Sequence, residues 1–189
     1  MQTIRTFIAI KISRELEAAF DTLIHSMKKN PGPVRWVNPQ SIHLTLKFLG
    51  EITPVQVEDV CKGVEKAVTA IPPFSLKSGS KGAFPSPKRP RVFWLGLAET
   101  GEPHLFDMQK NIEEEMALCG FPKERRPFKP HLTVGRVKDS REIETISNIF
   151  MEYQFPEIEF SADEVLVMKS ELTPQGARYS VQKSFPLKK

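Results

Sequence analysis

The sequence is poor in cysteine and in long apolar runs, and each shortage excludes a class of protein. Its 189 residues include only two cysteines, Cys61 and Cys119, both in apolar, helix-like segments. This argues against a disulfide framework and for reduced thiols in the cytoplasm. No apolar run reaches the length of about 20 residues that crosses a membrane, and the first residues lack the pattern of a signal peptide. We therefore expect a cytoplasmic globular protein with no membrane partner.

Charge gives only a weak preference for a partner. The net charge of +4 and the isoelectric point near 9.1 favour an anionic partner without requiring nucleic acid. Two basic stretches, residues 88–91 and 123–126, could form an electrostatic footprint for RNA. Either stretch could equally be a solvated loop.

Histidine is also scarce, and two of the four histidines occur in matching settings. Residues 43–46 read HLTL and residues 131–134 read HLTV. This alternation of polar and apolar residues predicts a half-buried strand, in which residues i and i+2 share a face. Each histidine therefore shares one face of its strand with the threonine two residues later.

The order of predicted elements repeats between the two halves of the chain. Each half begins with an apolar strand, followed by a helix, a strand that carries His-x-Thr, a second helix and further extended segments. The openings of the two halves align as Arg5-Thr6-Phe7 with Arg91-Val92-Phe93. The sequence therefore predicts an internal duplication.

This duplication predicts an α+β fold with two lobes around a pseudo-two-fold axis. Antiparallel sheets would line a central cleft, and the helices would lie outside. We expect a single domain over residues 1–189, with lobes at about 1–78 and 91–185. The segment between them, residues 79–90 (GSKGAFPSPKRP), is rich in glycine, proline and positive charge, and is predicted to be a loop.

A histidine pair across a cleft suits general acid–base catalysis. With an ordinary pKa of about 6.5, imidazole can be a base and imidazolium an acid near neutral pH. His43 and His131 could therefore remove and supply protons on opposite sides of a phosphodiester. The hydroxyls of Thr45 and Thr133 could donate to the phosphate oxygens. A single motif would be interpreted as a structural histidine beside a threonine of high strand propensity, but its recurrence favours a function.

Other chemistries have less support in the sequence. Two histidines can bind zinc, but a zinc site usually has three or four ligands, and no cysteine or carboxylate lies near either motif at ligand spacing. Neither a nucleophile elbow nor a glycine-rich phosphate loop occurs. We therefore expect a protein without a metal ion or a cofactor.

Two residues beside the motifs each have two interpretations. Arg136, at the end of its strand, is either a ligand for phosphate or a base edge, or a solvated surface residue. Gly135 would leave room beside it. Phe48 falls opposite His43 in a regular strand, which favours the core, whereas a twist near the strand end would offer its ring to a base.

In its motifs and their order, the chain resembles the RNA 2′,3′-cyclic phosphodiesterases of the 2H phosphoesterase superfamily, also called 2′-5′ RNA ligases or LigT-like proteins. The resemblance covers nearly the whole chain. The similar blocks are RTFIAI at 5–10, Trp36-Val37 followed by HLTLKFLGE at 43–51, AFPSPKRPRVFWLG at 83–96, RPFKPHLTVGRV at 126–137, and a C-terminal hairpin with Ser170-Glu171-Leu172, the turn Pro174-Gln175-Gly176 and Tyr179.

The resemblance implies a bilobal fold whose cleft is lined by the histidines and threonines of the two motifs. It implies hydrolysis of an RNA-terminal 2′,3′-cyclic phosphate to a 2′-phosphate without a metal, and reversible, ATP-independent 2′-5′ joining of RNA ends. By position, Arg136 and Phe48 match family residues that help to hold the nucleotide. The expected partners are RNA ends with a cyclic phosphate, tRNA fragments among the candidates, and the expected state is a monomer. Two alternatives stay open: a phosphodiesterase of small cyclic nucleotides, and a non-catalytic module that binds RNA or nucleotides.

Overall fold

The structure, a computed structural model, describes residues 3–173 and 176–188. The strands are β1 (Ile4–Lys11), β2 (Val34–Trp36), β3 (His43–Ile52), β4 (Phe74–Ser86), β5 (Arg89–Thr100), β6 (His131–Val137), β7 (Glu159–Ala162), β8 (Glu164–Thr173) and β9 (Gly176–Pro186). The helices are α1 (Arg14–Lys28), α2 (Pro54–Val68), α3 (Leu105–Leu118) and α4 (Ile143–Glu152). The predicted α+β class is confirmed. Within the described residues, no helix is both long and apolar enough to cross a membrane.

One continuous sheet joins the two halves of the chain. Its strand order is β7-β4-β5-β6-β3-β1-β8-β9, and β2 also pairs with β6. The order is symmetric about its centre, where β3 and β6 meet at Leu44 and Leu132. On either side of this centre, β5, β4 and β7 correspond to β1, β8 and β9. The predicted duplication is therefore visible in the topology of the sheet.

The two halves of the chain exchange their final strands. β4, from the first half, pairs with β5, and β8, from the second half, pairs with β1. The predicted lobe boundaries at 1–78 and 91–185 therefore do not separate the two sides of the sheet. The expectation that residues 1–189 form a single domain stays a prediction.

The prediction of a loop at residues 79–90 is wrong. β4 continues to Ser86, β5 begins at Arg89, and the two strands pair along their length. The pairing shifts register between Ser78 and Lys81, so the glycine there marks a bulge in a strand. The prolines lie at the hairpin end, where Pro85 pairs with Pro90. Glycine and proline in this segment mark a bulge and a tight turn, which composition alone does not distinguish from a loop.

The C-terminal hairpin has the strands that the sequence indicates. β8 and β9 pair from Glu164 with Pro186 to Thr173 with Gly176. Pro174 and Gln175, which belong to the predicted turn, lie outside the described residues.

Helix starts follow local chemistry, and the helices cover the apolar side of the motif strands. Ser13 caps α1 by accepting from the Leu16 amide at 3.2 Å. Thr53 and Gln56 form a capping box at the start of α2. The leucines and valine of the two motifs are buried in the same core as the inward faces of all four helices. The opposite face of β3 and β6, which carries the histidines and threonines, is half-buried.

A β-bulge interrupts β3 directly after its first three residues. Thr45 pairs with Ala9 and Lys47 pairs with Ile8, so Leu46 is an extra residue without a partner of its own. Because side chains alternate between faces, this insertion turns Lys47 away from the face of His43. Lys47 is consequently only 3% exposed.

The buried lysine makes an ion pair that joins three elements. Its ammonium donates to the Glu113 carboxylate of α3 at 2.7 Å and to the carbonyl of Pro122 at 3.0 Å. Glu113 also accepts from the Glu124 amide at 3.1 Å and from the Gln109 amide group at 3.3 Å. The pair therefore ties β3 and α3 to the segment that leads into β6.

We predict that Glu113→Leu lowers the free energy of unfolding by about 3–5 kcal/mol, because it leaves the Lys47 ammonium buried without its counter-charge. The double variant Lys47→Met/Glu113→Leu should recover most of this loss. Urea unfolding at neutral pH measures both values. The exposed pair of Lys77 and Glu157 offers a control, since Lys77→Met should cost no more than about 1 kcal/mol. A Glu113→Leu variant as stable as the Lys77→Met control would contradict the importance of the Lys47–Glu113 pair for stability.

Candidate active site

The two His-x-Thr motifs lie on adjacent antiparallel strands at the centre of the sheet. Leu44 of β3 is directly opposite Leu132 of β6. This register puts His43 across from Thr133 and Thr45 across from His131. All four side chains are half-buried on the same face. The structure therefore brings the four predicted residues together.

Both histidine rings are anchored in the same way. Nδ1 of His43 lies 2.9 Å from the carbonyl oxygen of Ser41, and Nδ1 of His131 lies 2.6 Å from that of Lys129. A carbonyl can only accept, so Nδ1 donates and carries a proton in each ring. In the neutral ring this leaves the lone pair on Nε2, which is therefore the nitrogen that can exchange a proton with a ligand.

Aromatic side chains restrict both rings further. His43 is stacked on Phe7, with ring centroids 4.6 Å apart, and meets Tyr179 edge-on at 5.0 Å. His131 meets Phe84 edge-on at 5.0 Å. The sequence pattern does not assign these aromatic residues to the site, because each reaches it through long-range strand pairing. Their contacts restrict the orientation of both imidazole rings.

The environment of His43 favours its neutral form. Burial lowers the pKa of His43 most, the hydrogen bond to Ser41 opposes that effect, and the positive charge of Arg136 lowers the pKa further. Within residues 3–173 and 176–188, no three His, Cys, Asp or Glu side chains are grouped to hold a metal ion.

The bulge in β3 also determines where Phe48 lies. With Leu46 inserted, Phe48 pairs with Phe7 and joins the face of the histidines. Phe48 is 45% exposed and lines a cavity beside Thr45. The regular-strand interpretation, which placed Phe48 in the core, is therefore wrong, and the cause is a bulge.

A second bulge in β6 does the same for Arg136. Thr133 pairs with Trp94 and Gly135 with Phe93, so Val134 is the extra residue. Gly135 is consequently on the core side, where an added Cβ would lie 2.7 Å from the Trp36 ring. The glycine makes room for tryptophan and not for Arg136, contrary to the prediction. Arg136 itself reaches the cleft face and is exposed.

Phe48 and Arg136 occupy equivalent positions, each five residues after its histidine. Because β3 and β6 are antiparallel, they lie at opposite ends of the motif pair. Arg136 is close enough to His43 to affect its pKa, whereas Phe48 is at the end that holds the cavity.

This cavity has a volume of about 830 Å³ and lies beside Thr45 and His131. Its lining combines aromatic and cationic side chains, and both basic stretches that the sequence singled out contribute to it. The lining includes Phe48, Phe84, Phe128, Arg91, Arg126, Lys129 and the carboxylate of Glu124.

Comparison with known proteins gives one consistent result. The family model of the 2′-5′ RNA ligase superfamily matches residues 14–174. The RNA 2′,3′-cyclic phosphodiesterase of Thermotoga maritima is 33% identical over 94% of this chain and 92% of its own length. That of Methanothermobacter thermautotrophicus is 32% identical over 97% and 99%. Among solved structures, E. coli LigT in its apo form covers 100% of both chains with a TM-score of 0.73 at 23% identity, which shows a shared fold.

We predict that Arg136→Gln raises the pKa of His43. Removing a nearby positive charge favours the imidazolium, so the pKa rises, but burial should still keep it below its ordinary value of about 6.5. Histidine NMR titration measures the shift. Arg141, an exposed arginine paired with Asp139, provides the control, and Arg141→Gln should leave His43 unchanged. If neither substitution changes the pKa of His43, the electrostatic coupling between Arg136 and His43 is refuted.

Proposed function

This chain belongs to the 2′-5′ RNA ligase superfamily, and on that premise we propose that it hydrolyses the 2′,3′-cyclic phosphate at an RNA end to a 2′-phosphate. One observation carries the proposal. Two histidines on paired strands each donate Nδ1–H to a backbone carbonyl and so keep Nε2 for proton transfer. Each has a threonine hydroxyl across the strand pair.

The proposed reaction is an in-line displacement at phosphorus. A water molecule attacks, one histidine takes its proton at Nε2, the P–O3′ bond breaks, and the other histidine protonates O3′. The lowered pKa of His43 suits it to the role of base in hydrolysis, which leaves His131 as the acid. One proton enters and one leaves, so the pair ends with its protonation states exchanged, and solvent restores them.

The threonines and Arg136 would stabilise the charge that develops on the phosphate. The hydroxyls of Thr45 and Thr133 can donate to the two non-bridging oxygens from opposite sides. Arg136 adds positive charge at the His43 end of the site. Phe48, at the other end, would stack on the nucleoside. We propose this chemistry without a metal ion or a cofactor.

Ligation would use the same site. If a 5′-hydroxyl replaces water, attack on phosphorus with O3′ leaving forms a 2′-5′ linkage, and the reverse reaction cleaves it. No ATP is required, because the cyclic ester supplies the leaving group. The proposed partners are RNA ends with a cyclic phosphate, including tRNA fragments, and the proposed state is a cytoplasmic monomer.

We predict that His43→Ala and His131→Ala each lower turnover of a short RNA ending in 2′,3′-cyclic phosphate by at least about 10²-fold, the scale for losing one general acid or base. Thermal melts should show both variants folded, because neither side chain belongs to the apolar core. His25→Ala, on the exposed side of α1, is the matched control and should keep full activity. If either motif variant matched that control, its histidine would have no place in the mechanism.

We predict that the product carries a 2′-phosphate and that its formation continues in EDTA. Phosphorus NMR, with resistance to a 3′-phosphate-specific phosphatase, identifies the product. A mainly 3′-phosphate product would show that O2′ and not O3′ leaves.

Activity lost in EDTA and restored by zinc or magnesium would reveal a metal requirement. Tight binding of the RNA with the cyclic phosphate left intact would indicate a non-catalytic module.

A further inference from the structure

The cavity lies at the His131 end of the motif pair, since its lining includes Thr45 and His131 but not His43, Thr133 or Arg136. The lining also includes Phe48 and residues 126–129, which precede β6. Its volume of about 830 Å³ is near the top of the range of about 300–1,000 Å³ for pockets that bury a drug-sized ligand. A single nucleoside with its cyclic phosphate would leave part of this space empty.

Two aromatic rings from different segments, Phe48 of β3 and Phe128 before β6, line the cavity. Phe48 lines it near the motifs, and the guanidinium of Arg5 lies 4.6 Å from the centroid of its ring. Phe128 also lines it, and its ring meets that of Phe106 edge-to-face, with centroids 5.8 Å apart. Rings of this kind stack on bases of single-stranded RNA with little sequence preference.

The charges along the cavity favour a phosphodiester backbone. Arg91, Arg126 and Lys129 line it and are exposed, against the single carboxylate of Glu124. Lys47 also borders it, but its charge is already paired with Glu113. In the part of the chain that the structure describes, none of the three exposed cations has a carboxylate partner. A phosphate between two nucleotides would provide these cations with an anionic partner.

We propose that this cavity is a subsite for the RNA strand that carries the cyclic phosphate, and that it holds two nucleotides. Phe48 stacks on the terminal base, Phe128 stacks on the preceding base, and the cations bind the phosphodiester between them. This inference rests on the proposed function and adds a substrate preference to it. The protein acts on the end of an oligonucleotide and discriminates against a mononucleoside 2′,3′-cyclic phosphate.

The test compares kcat/KM for adenosine 2′,3′-cyclic phosphate and for the adenosine dinucleotide with the same cyclic end. The parent protein should prefer the dinucleotide by about 10-fold or more, the scale of one base–aromatic stack. Phe128→Ala should remove most of that preference, mainly through KM, and change the mononucleoside rate by less than about twofold. Arg126→Gln should lower kcat/KM for the dinucleotide alone and reduce the salt dependence of that value. Arg125→Gln, next to the cavity lining, is the control and should leave both substrates unchanged.

The outcomes distinguish this inference from the proposed function. A parent protein without preference, or a Phe128→Ala variant that loses both substrates equally while its melting temperature is unchanged, overturns the subsite and leaves the hydrolysis intact. If the parent hydrolyses neither substrate, the proposed function fails, and the subsite is judged by binding alone. In that case calorimetry with the dinucleotide 2′-phosphate and with adenosine 2′-phosphate gives the answer. Phe128→Ala and Arg126→Gln must weaken binding of the dinucleotide 2′-phosphate only. If they do not, the subsite is refuted.

Discussion

An extra residue in each motif strand, Leu46 in β3 and Val134 in β6, breaks the alternation of faces directly after the threonines. Because strand side chains alternate with a period of two, one inserted residue sends the following side chains to the opposite faces. The first bulge turns Lys47 into the core and Phe48 towards the cavity. The second turns Gly135 into the core. The placement of the residues that flank the histidines and threonines depends on these two insertions.

Both motif strands have the same kind of bulge, but different residues follow it, so the two ends of the site differ. At one end, the core-facing position is a lysine whose ion pair with Glu113 fixes the segment before β6. At the other end, the equivalent position is Gly135, which accommodates Trp36. The cleft-facing equivalents are an aromatic ring and Arg136. A symmetric set of histidines and threonines therefore sits between asymmetric flanks, which gives an otherwise symmetric site a direction.

The parts of the site that sequence predicts are those that depend on local pattern. Alternation alone puts His43 with Thr45 on one face, and the second motif repeats it. Phe48 and Lys47 could not be placed this way, because a bulge is defined by the pairing of β3 with β1. The exchange of β4 and β8 is likewise a long-range choice. The predicted alignment of the two half-chain openings, which matched Phe7 with Phe93, is also wrong by one residue. Phe7 pairs with Phe48, and the equivalent residue Arg136 pairs with Val92.

The acceptor at Nδ1 of each histidine matters for a site that is proposed to work in both directions. In hydrolysis one histidine is the base, and in the reverse reaction the same histidine must be the acid. A carboxylate at Nδ1 would stabilise the imidazolium and hold the ring in its charged form. The carbonyls of Ser41 and Lys129 accept a hydrogen bond from the neutral and the charged ring alike. They fix the orientation and the tautomer of both rings, which leaves Nε2 of each histidine available for the proposed proton transfer in either direction.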